Sequence, residues 1–402
     1  MNGLSVVKSE YRHKGRENVM NHQIEHPYAW LDLNALDSNI RFVNSTCKTK
    51  PVRIATKSIR SVDVLKYIER NLKNCAGFMT YTAAETLYLI ENGFNHFLIG
   101  YPVMEKQSIK KLLWKAKEGT DVTFMVDCKE HLQLLQQLAE EIDVSVQVCI
   151  DLNVSADYSV LYFGTKRSPI TSIEKLQSFL RLIKKYSHIQ VVGTMAYDAQ
   201  IAGVTDHFDN GIKSKLVQQL KKRSKQSVRS FRRHAVSLMK AEWALKFVNG
   251  GGTGSMAYSD EQSDVTEITV GSAFYAPALF DRYTSLQLQP AAGYACRVVR
   301  QFSEDTFVLH GGGYIASGAT GKDKQPVFME KNRFSFSSLE GAGEVQSPII
   351  DKEKNLQVGD TVWLRHAKAG ELCERFQTLH AFREGNYLGP FKTYRGDGQC
   401  FL

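Results

Sequence analysis

Between residues 52 and 272 the chain repeats one pattern eight times: a short apolar or β-branched run, then a longer stretch with apolar residues at helical spacing. The runs are 52–56, 76–81, 96–100, 122–127, 145–152, 189–197, 245–250 and 267–272. Each of the gaps between them has room for an amphipathic helix, as at 109–116, 132–142 and 173–183. Parallel strands need such crossovers, because the chain must travel back before it can start the next strand in the same direction. Eight strands with helices between them is the count of a (β/α)8 barrel of the α/β class, and an open doubly wound sheet fits that number less well. Within the second unit, Thr82 is set to cap a helix, with Glu85 three residues on reaching back to form a capping box.

Past Ser285 the pattern changes. Short strand-like runs at 294–299, 306–310, 327–329, 334–336 and 361–365 are divided by Gly, Asp and Ser turns, and helical periodicity nearly disappears. The expected division is an N-terminal extension at 1–26, a barrel at 27–285 and a smaller all-β domain at 286–402. The insertions 153–172 and 198–240 follow the fifth and sixth strands, at the end of the barrel where loops shape a pocket.

The formal net charge of +9 first suggests a nucleic-acid partner. Its distribution argues otherwise: residues 213–240 carry ten Lys or Arg and no Asp or Glu, and the rest of the chain is close to neutral. One basic helix with a solvated outer face is the simpler reading. Seven cysteines at irregular positions, with no CxxC pair, point to reduced thiols and a cytoplasmic setting. No apolar run is long enough to span a bilayer, and the polar first 26 residues lack the apolar core of a signal peptide, so no membrane association is expected.

Two stretches carry chemistry. Lys57 closes the first run just before the helical stretch that starts at Ser58, which places its amine at the mouth of the barrel. A lysine there becomes nucleophilic when burial or a neighbouring cation lowers its pKa; otherwise it is a surface residue closing a strand. The second stretch, Asn249-Gly250-Gly251-Gly252-Thr253-Gly254-Ser255, lets the backbone approach a ligand and adds two hydroxyls, which suits a phosphate. It follows the seventh strand, and Gly271-Ser272 closes the eighth, where phosphate sites of such barrels recur. An amine facing an anion cradle across one ring of strands fits the dimensions of pyridoxal phosphate.

On these motifs, with Gly193-Thr194-Met195-Ala196-Tyr197 and Glu267-Ile268-Thr269-Val270-Gly271-Ser272, the chain resembles the fold-type III pyridoxal-phosphate enzymes. These combine an alanine-racemase-like barrel with a β-domain; the resemblance is nearest to the D-threonine aldolase and D-serine dehydratase group. It implies that Lys57 holds pyridoxal phosphate as a Schiff base, and that Gly251, Gly252, Thr253 and Ser255, with Gly271 and Ser272, hold its phosphate. Tyr197 would line the cofactor face, and Arg167 would contact the pyridine nitrogen. His366 matches a histidine that serves as base or binds a divalent metal, zinc or manganese. The relatives place Cys or Asp two residues later, where this chain has Lys368; Cys373 or Glu371 is the substitute ligand available. The implied activity is aldol cleavage or dehydration of a β-hydroxy D-amino acid by a homodimer, with Lys57, His366 and Tyr197 as the catalytic residues.

Three alternatives stay open on the sequence. A racemase or decarboxylase would keep Lys57 but use other residues of the β-domain. A non-catalytic pyridoxal-phosphate-binding protein would keep the Schiff base and turn nothing over. A Schiff-base sugar-phosphate aldolase would need no cofactor at all.

Overall fold

The computed structural model describes residues 24–157, 162–205, 211–319 and 321–402, without the side chains of residues 157 and 211–214. The expected N-terminal extension lies almost wholly outside these residues. Eight parallel strands close into a barrel in the order Phe247–Gly250, Glu267–Val270, Val52–Ala55, Cys75–Thr80, Phe97–Ile99, Val122–Val126, Val146–Asp151 and Ile189–Ala196. Closure is made where Ile268 stands opposite Val52 and Val270 opposite Ile54. The strands read as nearly continuous apolar runs because both faces are buried, one against the barrel interior and one against the helices.

Buried polar residues interrupt the barrel interior. Arg53 and Glu267 form a bidentate pair, Nε to Oε1 at 2.7 Å and Nη2 to Oε2 at 2.8 Å, and Asn249 donates to Glu267 Oε1 at 2.8 Å. A buried ion pair persists only when its remaining hydrogen-bonding capacity is also met, and here Arg53 Nη1 reaches the His96 carbonyl at 2.9 Å. This ties the first, seventh and eighth strands together, the three that carry Lys57 and the glycine turns.

The capping expectation is met in half. Thr82 Oγ1 accepts from the Glu85 amide at 3.1 Å, but the Glu85 carboxylate reaches the Tyr81 amide at 2.8 Å instead of that of Thr82. Its other oxygen accepts from the Tyr394 hydroxyl at 2.9 Å, so tertiary packing pulls it one residue past the reciprocal position.

The second layer is a nine-stranded, mostly antiparallel sheet. It does not begin at residue 286. The strand Tyr28–Asp32 pairs antiparallel with Ala292–Gln301 and parallel with Thr378–Arg383, so a segment expected to open the barrel instead sits at the centre of the sheet. Asp32 then caps the helix Leu33–Thr46, accepting from the Ala35 amide, and the chain crosses into the barrel. Two loops press the sheet onto the barrel mouth. The Ala278 and Leu279 amides donate to the carbonyls of His366 and Ala367 at 3.1 and 3.0 Å. A Cβ on Gly370 would stand 2.4 Å from the Lys57 carbonyl, so only glycine allows that approach.

The insertion after the sixth strand holds a short helix, Ala199–Ala202, and a long one, Gly211–Lys240. The long helix is the basic segment. Its outer face is solvated as expected, but Lys221, Ser224, Val228, Arg232, Ala235 and Met239 recur every three or four residues as a buried face. No helix among the described residues is long and apolar enough to cross a membrane, and none of the seven cysteines is disulfide-bonded.

Candidate active site

Lys57 stands in a single 3-10 turn, Thr56–Ser58, that leaves the first barrel strand. The turn is held on three sides. Thr56 Oγ1 donates to the Met79 carbonyl at 3.0 Å, Arg60 Nε donates to the Lys57 carbonyl at 2.9 Å, and Arg60 Nη1 reaches Glu374 Oε1 of the β-sheet region at 2.8 Å. Backbone fixed in this way aims the half-buried Lys57 side chain into the mouth. Its Nζ donates to the Tyr101 hydroxyl at 2.5 Å. Tyr101 escapes sequence reading, since a tyrosine between Gly100 and Pro102 belongs to no periodic pattern; the Gly-Tyr-Pro punctuation after the third strand was the one available signal.

Two strands round the ring from Lys57, and not across the mouth from it, Gly251 turns with φ +79°, a conformation that favours glycine, and Thr253–Ser255 form a second 3-10 turn. The Gly252 amide donates to Ser255 Oγ at 3.1 Å, and Ser255 Oγ donates to Asp198 Oδ1 at 3.0 Å. Thr253 Oγ1 accepts from the Ala273 amide at 3.1 Å, which joins this turn to the short helix Ser272–Tyr275 after the eighth strand. Ser272 Oγ lies 3.3 Å from Ser58 Oγ, beside Lys57. Gly271 sits so close to the same turn that a Cβ would come within 2.9 Å of both Ala55 Cβ and Ser58 Oγ. The hydroxyls and opening amides of both turns therefore form one continuous rim with the lysine turn.

Tyr197 and Arg167 complete one wall. The Arg167 guanidinium lies 5.9 Å from the Tyr197 ring centre, and the Tyr197 ring would be 3.3 Å from a Cβ on Gly252. Burial, then the nearby Asp198, push the Tyr197 phenol up to about 12, so it stays protonated. Tyr101, Asp127, His131, Asp151, Arg167 and Tyr197 line a cleft of about 390 Å³. Burial, reinforced by Asp127, raises the Asp151 carboxyl to about 7 against the opposing charge of Arg167.

His366 and Cys373 lie deeper. His366 closes the strand Thr361–Arg365, is 3% exposed, and packs edge-on to Tyr275 with ring centres 6.5 Å apart. Neither ring nitrogen has a side-chain partner, backbone groups of Ala369 and Ala292 lie near the ring, and burial, then the charge of Arg365, lowers its pKa to about 3. Cys373 Sγ donates to the Ile59 carbonyl at 3.3 Å, and the Tyr275 hydroxyl donates to the same oxygen at 3.1 Å. Burial lifts the Cys373 thiol to about 12. His366 and Cys373 belong to no group of three or more His, Cys, Asp or Glu side chains close enough to share a metal ion among the described residues; Asp127, Cys128 and His131 form such a group instead. Pyridoxal phosphate is a better match to the residues present: a half-buried amine, an aromatic wall, and a rim of glycines and hydroxyls closed to larger side chains.

A parallel barrel whose first strand ends in a lysine and whose adjoining eighth and seventh strands end in an amide-and-hydroxyl cradle has the layout of barrel proteins built around a phosphorylated ligand. Residues 31–278 match the alanine racemase N-terminal domain, and the chain belongs to that family of fold-type III pyridoxal-phosphate enzymes. A 3-hydroxy-D-aspartate aldolase of Paracoccus denitrificans (strain Pd 1222) is 25% identical over 268 residues, 65% of this chain and 62% of the relative. The chain thus spans less than two thirds of that relative's length. The fold is shared with D-threonine aldolase from Filomicrobium marinum, at a TM-score of 0.77 and 15% identity over 93% of this chain and 96% of that one. It is also shared with D-threo-3-hydroxyaspartate dehydratase from Delftia sp. HT23, at a TM-score of 0.72 and 16% identity over 92% and 98% of the two chains.

Proposed function

We propose that the protein is a pyridoxal-phosphate-dependent lyase acting on a β-hydroxy D-amino acid, by aldol cleavage or by dehydration. The observation that carries this reading is the continuous rim from the Lys57 turn through Ser58 and Ser272 to Thr253 and the glycine turn. Lys57 would hold the cofactor covalently; Gly251, Gly252, Thr253, Ser255, Gly271 and Ser272 would hold its phosphate; Tyr197 and Arg167 would flank its ring. Bound there, pyridoxal phosphate supplies an electron sink for charge that develops at the substrate α-carbon.

The chain's own groups do the rest. Lys57, beside a hydroxyl at 2.5 Å, can pass a proton to or from Tyr101 without a large movement. Tyr197, kept protonated by burial, can donate a hydrogen bond but does not serve as a base at neutral pH. His366 is neutral across the physiological range, and its ring, which has no side-chain partner, is the proposed acceptor for the substrate hydroxyl. With its pKa lowered to about 3 it is a weak base, so it orients that hydroxyl more than it removes the proton. No step is assigned to a metal, because no third metal-binding side chain joins His366 and Cys373 among the described residues.

The names of the relatives, an aldolase and a dehydratase of hydroxyaspartate and a D-threonine aldolase, support the β-hydroxy D-amino acid class. A cytoplasmic homodimer is the setting that the unpaired cysteines and the family resemblance favour. The test is product analysis with purified protein and pyridoxal phosphate on D- and L-3-hydroxyaspartate, threonine and serine. Glyoxylate or an aldehyde with glycine marks cleavage, and a 2-oxo acid with ammonia marks dehydration. Release of neither from any D substrate would overturn the reading, and interconversion of enantiomers alone would favour a racemase.

A further inference from the structure

The stretch Asp127-Cys128-Lys129-Glu130-His131 has no part in the reaction proposed above. It runs from the end of the barrel strand Val122–Val126 into the helix Lys129–Ile142. Asp127 is the first residue past the strand, Cys128 occupies the N-cap, and His131 stands in the first helical turn. The imidazole folds back over the strand end: its Nδ1 lies 3.2 Å from Asp127 Oδ1 and 3.3 Å from the Asp127 amide nitrogen. With one donor atom taken from each residue, a carboxylate oxygen, a thiol sulfur and a ring nitrogen all lie within 4.8 Å of one another. The Asp127 and His131 side chains are only 10% and 15% exposed. Because a strand end and a helix start fix their backbones, the three donors need little movement to converge on one point.

A second carboxylate stands beside this group. The parallel register pairs Val126 with Ile150, so Asp127 and Asp151 follow side by side as their strands end. Both line the cleft described above, together with His131. The Ser168 hydroxyl bonds the Asp151 backbone carbonyl at 2.7 Å, but no described residue donates to the Asp151 carboxylate. Arg167 is the one lysine or arginine lining that cleft, and it is already placed at the cofactor ring. Two carboxylates on neighbouring strands, about 4.8 Å apart in backbone, repel in a partly enclosed site unless positive charge joins them. An Asp127–His131 pair alone answers for the first carboxylate and leaves the second unmatched, whereas a divalent cation answers for both.

We propose that Asp127, Cys128 and His131 bind one zinc ion in the cleft wall, beside the Asp151 carboxylate. The donor set selects the metal: sulfur and imidazole nitrogen with one carboxylate suit zinc, while magnesium and calcium take oxygen ligands. Bonds of about 2.0 Å to a nitrogen and an oxygen put those two donors about 3.3 Å apart on a tetrahedral ion, close to the separation already present between His131 and Asp127. Three protein ligands leave a fourth position on the cleft side, for Asp151, water or an oxygen of a bound ligand, which is the layout of an open zinc site and not of a closed structural one. The place is distinct from His366 and Cys373, the pair to which the sequence resemblance assigns a metal.

The experiment is metal analysis of the full-length protein after it has been stripped with a chelator, dialysed against zinc and then dialysed against metal-free buffer. The wild type should retain about one zinc ion per chain, and magnesium should not displace it. Competition with a chromophoric chelator gives the affinity. It should fall by about 100-fold or more in His131→Gln and, independently, in the nearly isosteric Cys128→Ser, since loss of groups that merely support a ligand already costs about 10- to 100-fold. Melting curves recorded without zinc check that each variant is folded. His366→Ala should keep its zinc, as should Cys400→Ser, which removes the exposed thiol. Lys57→Ala, which lacks the amine for a Schiff base, should keep it too, so the outcome does not depend on the cofactor reading. A wild type that retains no zinc, zinc that survives both His131→Gln and Cys128→Ser, or zinc lost with His366→Ala or Cys400→Ser instead, overturns the proposal.

Discussion

The Lys57 ammonium sits 2.5 Å from the Tyr101 hydroxyl and 5.3 Å from the centre of the same ring. One residue thus offers the amine both an acceptor and an aromatic face, and the two contributions can be separated. Lys57→Ala should abolish both turnover and the visible absorption that borohydride bleaches in the wild type. Tyr101→Phe keeps the ring and removes only the hydroxyl. It should retain the absorption band and lower turnover by about 100-fold, at the low end for loss of a proton-transfer partner. A borohydride-sensitive band that persists in Lys57→Ala would place the covalent attachment on another residue.

His366 gives a prediction about pH. Its folded-state pKa is lowered from 6.5 to about 3 by burial and by Arg365, so the unfolded chain binds the proton more readily. The stability associated with the neutral ring is fully present above pH 6.5 and is lost as pH falls toward 3, a difference on the order of a few kcal/mol. Denaturant melts from pH 7 to pH 4 should show a steeper loss for wild type than for His366→Gln. Turnover by His366→Ala should fall by about 100-fold with cofactor still bound, because a hydroxyl acceptor is gone. Parallel stability curves for the two proteins would mean that the ring is solvated.

Glu85 works in the opposite direction. Burial raises it from 4.5 to about 7 despite hydrogen bonds from the Tyr81 amide and the Tyr394 hydroxyl. An acid raised in this way stabilises the fold below its unfolded value, and that contribution is lost as pH rises through about 7. Glu85→Gln should cost about 1 kcal/mol or less, since its amide oxygen can still accept from the Tyr81 amide while its NH2 turns to the Tyr394 hydroxyl, and it should flatten the stability profile between pH 5 and 7. An unchanged slope would show that Glu85 is ionised in the native state.

Why some of this was legible in the chain and some was not follows from the range of the interactions. The eight barrel strands could be read because each is local: a buried run of a few residues, bounded by its own turn chemistry, as at Val52–Ala55 and Val122–Val126. Lys57 and the glycine turn could be placed because they end such runs. The strand Tyr28–Asp32 could not be assigned to its sheet, since its partners lie at Ala292–Ala295 and Leu379–Phe382, far along the chain. For the same reason Glu85 was expected at the Thr82 amide and is drawn to Tyr394 instead. The sequence located His366 by its turn and strand, but its burial under Tyr275 depends on how two distant segments close. The charge count found the basic helix; only packing separates Arg232, turned inward, from Arg233 beside it, which faces solvent.

The pair Arg53–Glu267 gives a prediction about the barrel itself. Both side chains are almost fully enclosed, and Glu267 receives three donated hydrogen bonds, two from Arg53 and one from Asn249. Truncating one partner leaves the other charge buried without compensation, so Arg53→Ala should destabilise by about 3–5 kcal/mol. Replacing both, as Arg53→Met with Glu267→Leu, removes both desolvation penalties and should cost much less than the single change. Urea denaturation of the three proteins decides it, and a double variant as unstable as the single one would show that the carboxylate is needed for Asn249.

Gly271 links the barrel wall to the cofactor site most directly. Its added Cβ would stand 2.9 Å from Ala55 Cβ, 2.9 Å from Ser58 Oγ and 3.0 Å from the Ala55 carbonyl, and two of these three atoms belong to stiff parts of the lysine turn and its strand. Gly271→Ala must therefore push the end of the eighth strand away from Lys57, separating Ser272 from Ser58. A shift of about 1 Å between the group that attaches a ligand and the cradle that holds its far end can cost about 100-fold in rate. The expected result is a folded protein with a melting temperature lowered by a few degrees, weaker retention of pyridoxal phosphate on dialysis, and turnover reduced by about 10- to 100-fold. Gly359→Ala is the control: a Cβ there meets nothing within 4 Å although its φ of +101° strains the backbone, whereas Gly271, at φ −140°, meets a clash without that strain. If both substitutions lower cofactor retention to the same degree, a general loss of stability and not the rim next to Lys57 is responsible.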